Sequence, residues 1–127
     1  MKKLLIALVL SSAALAGCDT DTPKPVAMQY VNALKSGQYE QAITYMHFNN
    51  AAEEDCSELR SYLADRYRKS IEVNGGIKDI TIQNEKIVEK GSRVDIVERT
   101  IYKNGVEADY VMHFVKVDGV WMIDTNY

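Results

Sequence analysis

Apolar positions recur every three or four residues between Val26 and Val73 and every second residue from Ile77 onward, so a helical half precedes a sheet-forming half. Between Val26 and Ser36 the stripe Ala27, Tyr30, Val31, Leu34 predicts a first helix; prolines precede it and Gly37 can close it in the left-handed conformation. Tyr39, Ala42, Ile43 and Met46 predict a short second helix that ends at the Asn49-Asn50 break. A third, longer helix is predicted from about Glu53 to Val73, with Cys56, Leu59, Leu63, Tyr67 and Ile71 on one face and Asn74-Gly75-Gly76 as its stop.

β-branched residues dominate after Gly76, and four strands fit: 77–88, 93–102, 107–117 and 120–126. Asn104-Gly105 and Asp118-Gly119 both suit two-residue type I′ hairpins, which need positive φ at both central positions; Lys90-Gly91-Ser92 is a weaker third turn. On that assumption paired positions sum to 209 across the first turn and to 237 across the second. One face then carries Val97, Arg99, Ile101, Ala108, Tyr110, Met112, Phe114, Trp121, Ile123 and Tyr127. The other carries Val94, Ile96, Glu98, Val111, His113, Val115, Val117, Val120, Met122 and Asp124. A bulge in either turn would exchange the faces of one strand. The expected fold class is α+β, three N-terminal helices packed on a curved four-stranded antiparallel sheet. Helices can cover one apolar face; the surplus on the other predicts a homodimer through the sheet or a docked partner.

The start of the chain has a different character. Lys2 and Lys3, the apolar run Leu4 to Leu10 and the small residues that follow form an export signal, too short for a membrane span of about 20 residues. Leu15-Ala16-Gly17-Cys18 resembles the lipobox of bacterial lipoproteins. That resemblance implies lipidation of Cys18, cleavage before it, and anchoring by acyl chains to the cell membrane, facing the periplasm. Two or three chains hold where one binds only marginally. Asp19 resembles the inner-membrane retention signal of enteric bacteria. The expected organisation is a signal peptide over 1–17, a lipidated tether over 18–24 and a single α+β domain over 25–127. The polar stretch Asp19 to Pro25 reaches about 23 Å at full extension, which keeps the body near the bilayer.

Removing residues 1–17 takes away two lysines and no acid, leaving 13 basic and 18 acidic side chains, a net charge of −5. With no basic patch and an export signal, a nucleic-acid partner is disfavoured. Lipidation consumes Cys18 and leaves Cys56 alone, so no intrachain disulfide can form. Cys56 falls on the apolar stripe of the third helix and reads as a buried, inert thiol, with an intermolecular disulfide or a reactive thiol as the alternative. No cysteine-histidine cluster supports a metal, and no cofactor is expected. Glu53-Glu54-Asp55 with Glu58 reads as a solvated helix start, since consecutive carboxylates on a helix diverge and no glycine supplies a calcium-loop turn.

Candidate chemistry is sparse. The 237 register sets His113 across from Asp124, the one constellation with catalytic grammar, although on the face away from most aromatic residues it reads better as a structural pair. His47 sits in a loop-like stretch without partners of that kind. Tyr30, Tyr67, Tyr110, Phe114 and Trp121 could line a pocket between helices and sheet, and Arg99, on the same predicted face, would need an anion there.

The stretch Val26 to Met46, with its first helix, Ser36-Gly37-Gln38-Tyr39 turn and Ala42 to Tyr45 second helix, and the terminal Asp118-Gly119-Val120-Trp121-Met122-Ile123 resemble the nuclear transport factor 2-like, or cystatin-like, cone. Combined with the lipobox, they resemble the small bacterial lipoproteins of domain of unknown function 4878. The resemblance implies the cone fold and supplies no catalytic residues; fold alone licenses no activity. The expectation is a non-catalytic, membrane-anchored binding module for an envelope protein or a small ligand. Immunity to an exported toxin or exclusion of a phage would be concrete versions. The alternative is a small isomerase, dehydratase or hydrolase using His113 and Asp124.

Overall fold

The computed structural model describes residues 21–48 and 53–125. The expected export signal, Cys18, Asp19, the Asn49-Asn50 break and Tyr127 lie outside the described residues, as do the side chains of Glu53, Glu54 and Asp55.

Helix α1 spans Lys24–Lys35, with Pro23 at its N-cap and Pro25 in its first turn, where a missing N–H costs nothing. Ala27, Tyr30, Val31 and Leu34 are buried at helical spacing. Its end is a Schellman motif: Gly37 at φ +76° donates to the Leu34 carbonyl at 3.1 Å, and Gln38 donates to the Ala33 carbonyl at 2.8 Å. Helix α2, Tyr39–Ile43, stops short of the expected Met46. Tyr45 instead accepts a hydrogen bond from the Ile123 amide at 2.8 Å, and Met46–His47 becomes strand β1, parallel to the last strand. A strand partner distant in sequence outbids a local helical preference there. Helix α3, Glu53–Val73, ends in a second Schellman motif through Gly75 and Gly76.

Strands β2 (Ile77–Glu89), β3 (Arg93–Tyr102), β4 (Glu107–Val117) and β5 (Val120–Asp124) complete a five-stranded mixed sheet in the order β1-β5-β4-β3-β2. The expected purely antiparallel, four-stranded sheet therefore gains a short parallel edge. Three register shifts bend β2, the other edge strand.

The two hairpin registers fare differently. Between β4 and β5, Val117 pairs with Val120 and Phe114 with Ile123, the 237 register, with Asp118 at φ +50° and Gly119 at φ +82° as a type I′ turn requires. Between β3 and β4, Val94 pairs with Phe114 and Ile101 with Glu107, so positions sum to 208 rather than 209. Lys103-Asn104-Gly105 is a three-residue loop. The Tyr102 amide donates to the Val106 carbonyl at 2.8 Å, the Gly105 amide donates back to Tyr102 at 2.9 Å, and only Gly105 takes positive φ. Asn104 is held otherwise: its backbone amide donates to Asn74 and its Oδ1 accepts the Val106 amide.

That single residue turns β3 over. The face toward the helices carries Val94, Ile96, Glu98, Thr100 and Tyr102 from β3, with Met112, Phe114, Trp121 and Ile123 from β4 and β5. Phe114, Ile43 and Ile96 are fully buried at its centre, each contributing about 1.5–3 kcal/mol of transfer free energy. Val97, Arg99 and Ile101, expected on the helix side, lie on the opposite side.

Candidate functional site

Glu98 stands in the middle of β3, paired with Ile82 of β2 on one side and Tyr110 of β4 on the other. Turned toward the helices, the residue is 4% exposed, and its Oε2 has no hydrogen-bond partner in the protein. A buried carboxylate without a partner is costly. Burial pushes the Glu98 carboxyl up from 4.5 to about 7.

Glu98 forms part of the wall of a cavity of about 310 Å³ between sheet and helices. Tyr30 and Leu34 of α1, Tyr67 and Ile71 of α3, and Ile80, Thr100, Tyr102, Tyr110 and Met112 of the sheet complete much of the lining. The hydroxyls pair with one another. Tyr30 donates to Tyr67 at 3.5 Å, and those of Tyr102 and Tyr110 lie 3.2 Å apart. Burial raises the Tyr30, Tyr67 and Tyr102 hydroxyls above their ordinary value, so they stay protonated. Among the described residues the lining contains no Lys, Arg or His. A larger groove of about 740 Å³ between α2 and α3, edged by Gln38, Glu40, Asp65 and Arg68, is open and polar. No unpartnered buried group points to chemistry there: Asp65 is occupied by Arg68 and Lys69.

Of the six residues expected to line a pocket, Tyr30, Tyr67 and Tyr110 do so. Phe114 packs in the core beside the cavity, and Trp121, also buried, donates its indole N–H to Asp21 Oδ1 at 3.1 Å. Arg99 is a correction. On the other face it forms a two-pronged contact with Asp109 at 2.8 and 3.1 Å, so its charge is met within the protein and faces no cavity. His113 and Asp124 also lie on that outer face: His113 Nδ1 is 2.8 Å from Asp95 Oδ1, and Arg93 reaches Asp124 Oδ2 at 3.4 Å. Arg93, Asp95, His113 and Asp124 thus form an ionic patch remote from the tyrosine-lined space. Cys56 is half-buried on α3.

Glu98, Thr100 and Tyr102 are the site residues that periodicity missed. A lone acid within the alternating apolar run Val94, Ile96, Glu98 carried the clue, since a strand face that buries its neighbours buries the acid as well. Among the described residues, no three His, Cys, Asp or Glu side chains gather to hold a metal ion, and no helix is long and apolar enough to cross a membrane.

A family model described as "Domain of unknown function (DUF4878)" matches residues 16–124. The chain belongs to this family. A solved structure from Campylobacter jejuni, whose description assigns it provisionally to the NTF2-like transpeptidases, is similar to this DUF4878 chain with a TM-score of 0.64. It is 18% identical, and the match covers 81% of this chain and 97% of that one. At that identity the likeness carries the NTF2-like fold alone. No curated protein matches the chain.

Proposed function

We propose that this DUF4878 domain is a non-catalytic binding module that holds a small ligand in the cavity over Glu98, carried on the periplasmic side of the membrane by a lipid on Cys18. One observation supports the ligand reading above all: Glu98, 4% exposed and with one carboxylate oxygen unpartnered, in the wall of a tyrosine-lined cavity. Evolution rarely keeps such a group for stability, because an apolar residue of similar size costs less to bury. The lipid anchor is supported by Leu15-Ala16-Gly17-Cys18 behind a basic and apolar start. Apolar side chains on the outer sheet face, Val111 and Val120 exposed among them, support self-association of the domain there.

The test is native mass spectrometry of the protein purified from its own envelope. A bound small-molecule mass is expected, and it should be absent from a Ser70→Trp variant, because Ser70 lines the cavity and an indole there would block it. Protein that carries no bound mass in either form overturns the reading.

A carboxyl that titrates near 7 also suits proton transfer, which favours a second reading as a small acid-base enzyme. Its weakness is the lining: among the described residues no second carboxylate, imidazole or cation stands by to stabilise a developing charge, and the tyrosine hydroxyls are engaged with one another. Glu98→Gln separates the two, since an enzyme would keep binding and lose turnover.

A further inference from the structure

We infer that the cavity takes a small organic ammonium ion, which pairs with the Glu98 carboxylate in its wall while its apolar part lies among Tyr30, Tyr67, Tyr102 and Tyr110. This assignment rests on the ligand-cavity reading above and names the chemistry of the ligand.

The argument is one of charge and complement. Glu98 is the one carboxyl of a lining that holds no cation among the described residues, so an anionic ligand would meet like charge at low dielectric. A neutral hydroxyl could donate to the Glu98 carboxylate but would leave a buried negative charge uncompensated. A protonated amine supplies the donor and the opposite charge together, in the charge-assisted form of hydrogen bond that is shorter and stronger. The aromatic walls act in the same direction, because ring faces attract ammonium groups by their quadrupole. A volume of about 310 Å³ is at the small end of ligand sites, which restricts the ligand to one ring or a short chain. The groups facing Glu98 are the hydroxyls of Tyr30 from α1, Tyr67 from α3, and Tyr102 and Tyr110 from the sheet, with Ile80 and Ile82 on β2. Glu98 is therefore the group that titrates at this site between pH 5 and 8.

The experiment is calorimetric titration of the full-length chain, in a non-ionic detergent, with 2-phenylethylamine, its neutral isostere 2-phenylethanol and the anion 3-phenylpropionate. The amine should bind at least about tenfold more tightly than the alcohol, and the carboxylate should not bind. Amine affinity should fall on the order of tenfold from pH 7.5 to pH 5.5 as Glu98 takes its proton, and Glu98→Gln should abolish the preference for the amine. Should that variant misfold, the carboxyl carbon resonance of Glu98 in the native chain gives the same answer, because bound amine must lower the pH at which it titrates. Equal binding of the alcohol, or a preference for amine that survives Glu98→Gln, overturns the ammonium assignment and leaves the cavity reading standing. Failure of all three compounds to bind overturns the assignment as well, while the mass bound to envelope-purified protein still decides the cavity reading.

Discussion

Asn104 Nδ2 donates to Asn74 Oδ1 at 2.9 Å, joining the loop between β3 and β4 to the end of α3 across thirty positions of chain. The backbone repeats the link, with the Asn104 amide on the Asn74 carbonyl at 3.2 Å and the Lys103 amide on that of Gly76 at 2.8 Å. Held this way, Asn104 does not adopt the positive φ of a type I′ turn, the loop keeps three residues, and Glu98 points toward the helices.

Loosening that brace should cost stability without changing the fold. Asn74→Ala removes two side-chain hydrogen bonds, the one accepted from Asn104 and the one donated to the Ser70 carbonyl at 3.0 Å, and is expected to lower unfolding free energy by about 1–2 kcal/mol in urea titration. Gly105→Ala should cost a similar amount or more, because φ of +93° strains a residue with a Cβ. Unchanged stability in both would show that the loop does not depend on this contact.

Stability should depend on pH through Glu98. Its carboxyl is raised in the folded chain from 4.5 to about 7, so the folded state holds the proton more tightly than the unfolded one. The penalty is absent below about pH 4.5, grows as pH rises, and reaches its plateau above 7. The gap between those values corresponds to about 3 kcal/mol as an upper bound. Glu98→Gln should remove this slope and unfold at higher denaturant than the native chain at pH 8, the two converging near pH 4.5. A native profile that is flat from pH 5 to 8 would contradict it.

Trp121 is the one tryptophan of the chain, and its indole meets Asp21, which also binds Lys116 Nζ. Those two partners, Lys116 first, hold the Asp21 carboxyl below its ordinary 3.8. The contact is therefore present at neutral pH and lost as pH falls through that lowered value. Asp21→Ala should shift tryptophan emission at pH 7 and abolish the acid-dependent change expected of the native chain below pH 3.8. Identical emission from both chains would place Trp121 outside the influence of Asp21.

Cys18→Ser should release the protein from the membrane fraction and prevent incorporation of an alkyne-labelled fatty acid. Fractionation and label detection check this directly. A Ser variant that stays membrane-bound would point to another means of attachment.

Elements set by local chemistry were legible along the chain. The stripe from Ala27 to Leu34, the Gly37 and Gly75 helix ends, the Arg93–Tyr102 and Glu107–Val117 limits and the type I′ turn at Asp118-Gly119 all depend on residues within a few positions of one another. Three of the four cavity tyrosines could be named from the same stripes, because a helix or strand face is a property of its own periodicity. Met46–His47 as a strand was not legible, since its partner Ile123 lies seventy-seven positions away.

The orientation of β3 was not legible either. Asn104-Gly105 is compatible with a loop of two residues or of three, and the choice falls to Asn74 and Gly76, which only folding brings beside it. Because side chains alternate along a strand, that choice of one residue exchanges Arg99 for Glu98 at the cavity. Local sequence thus prescribes the faces, and the long-range hydrogen bonds of one loop select which face is buried.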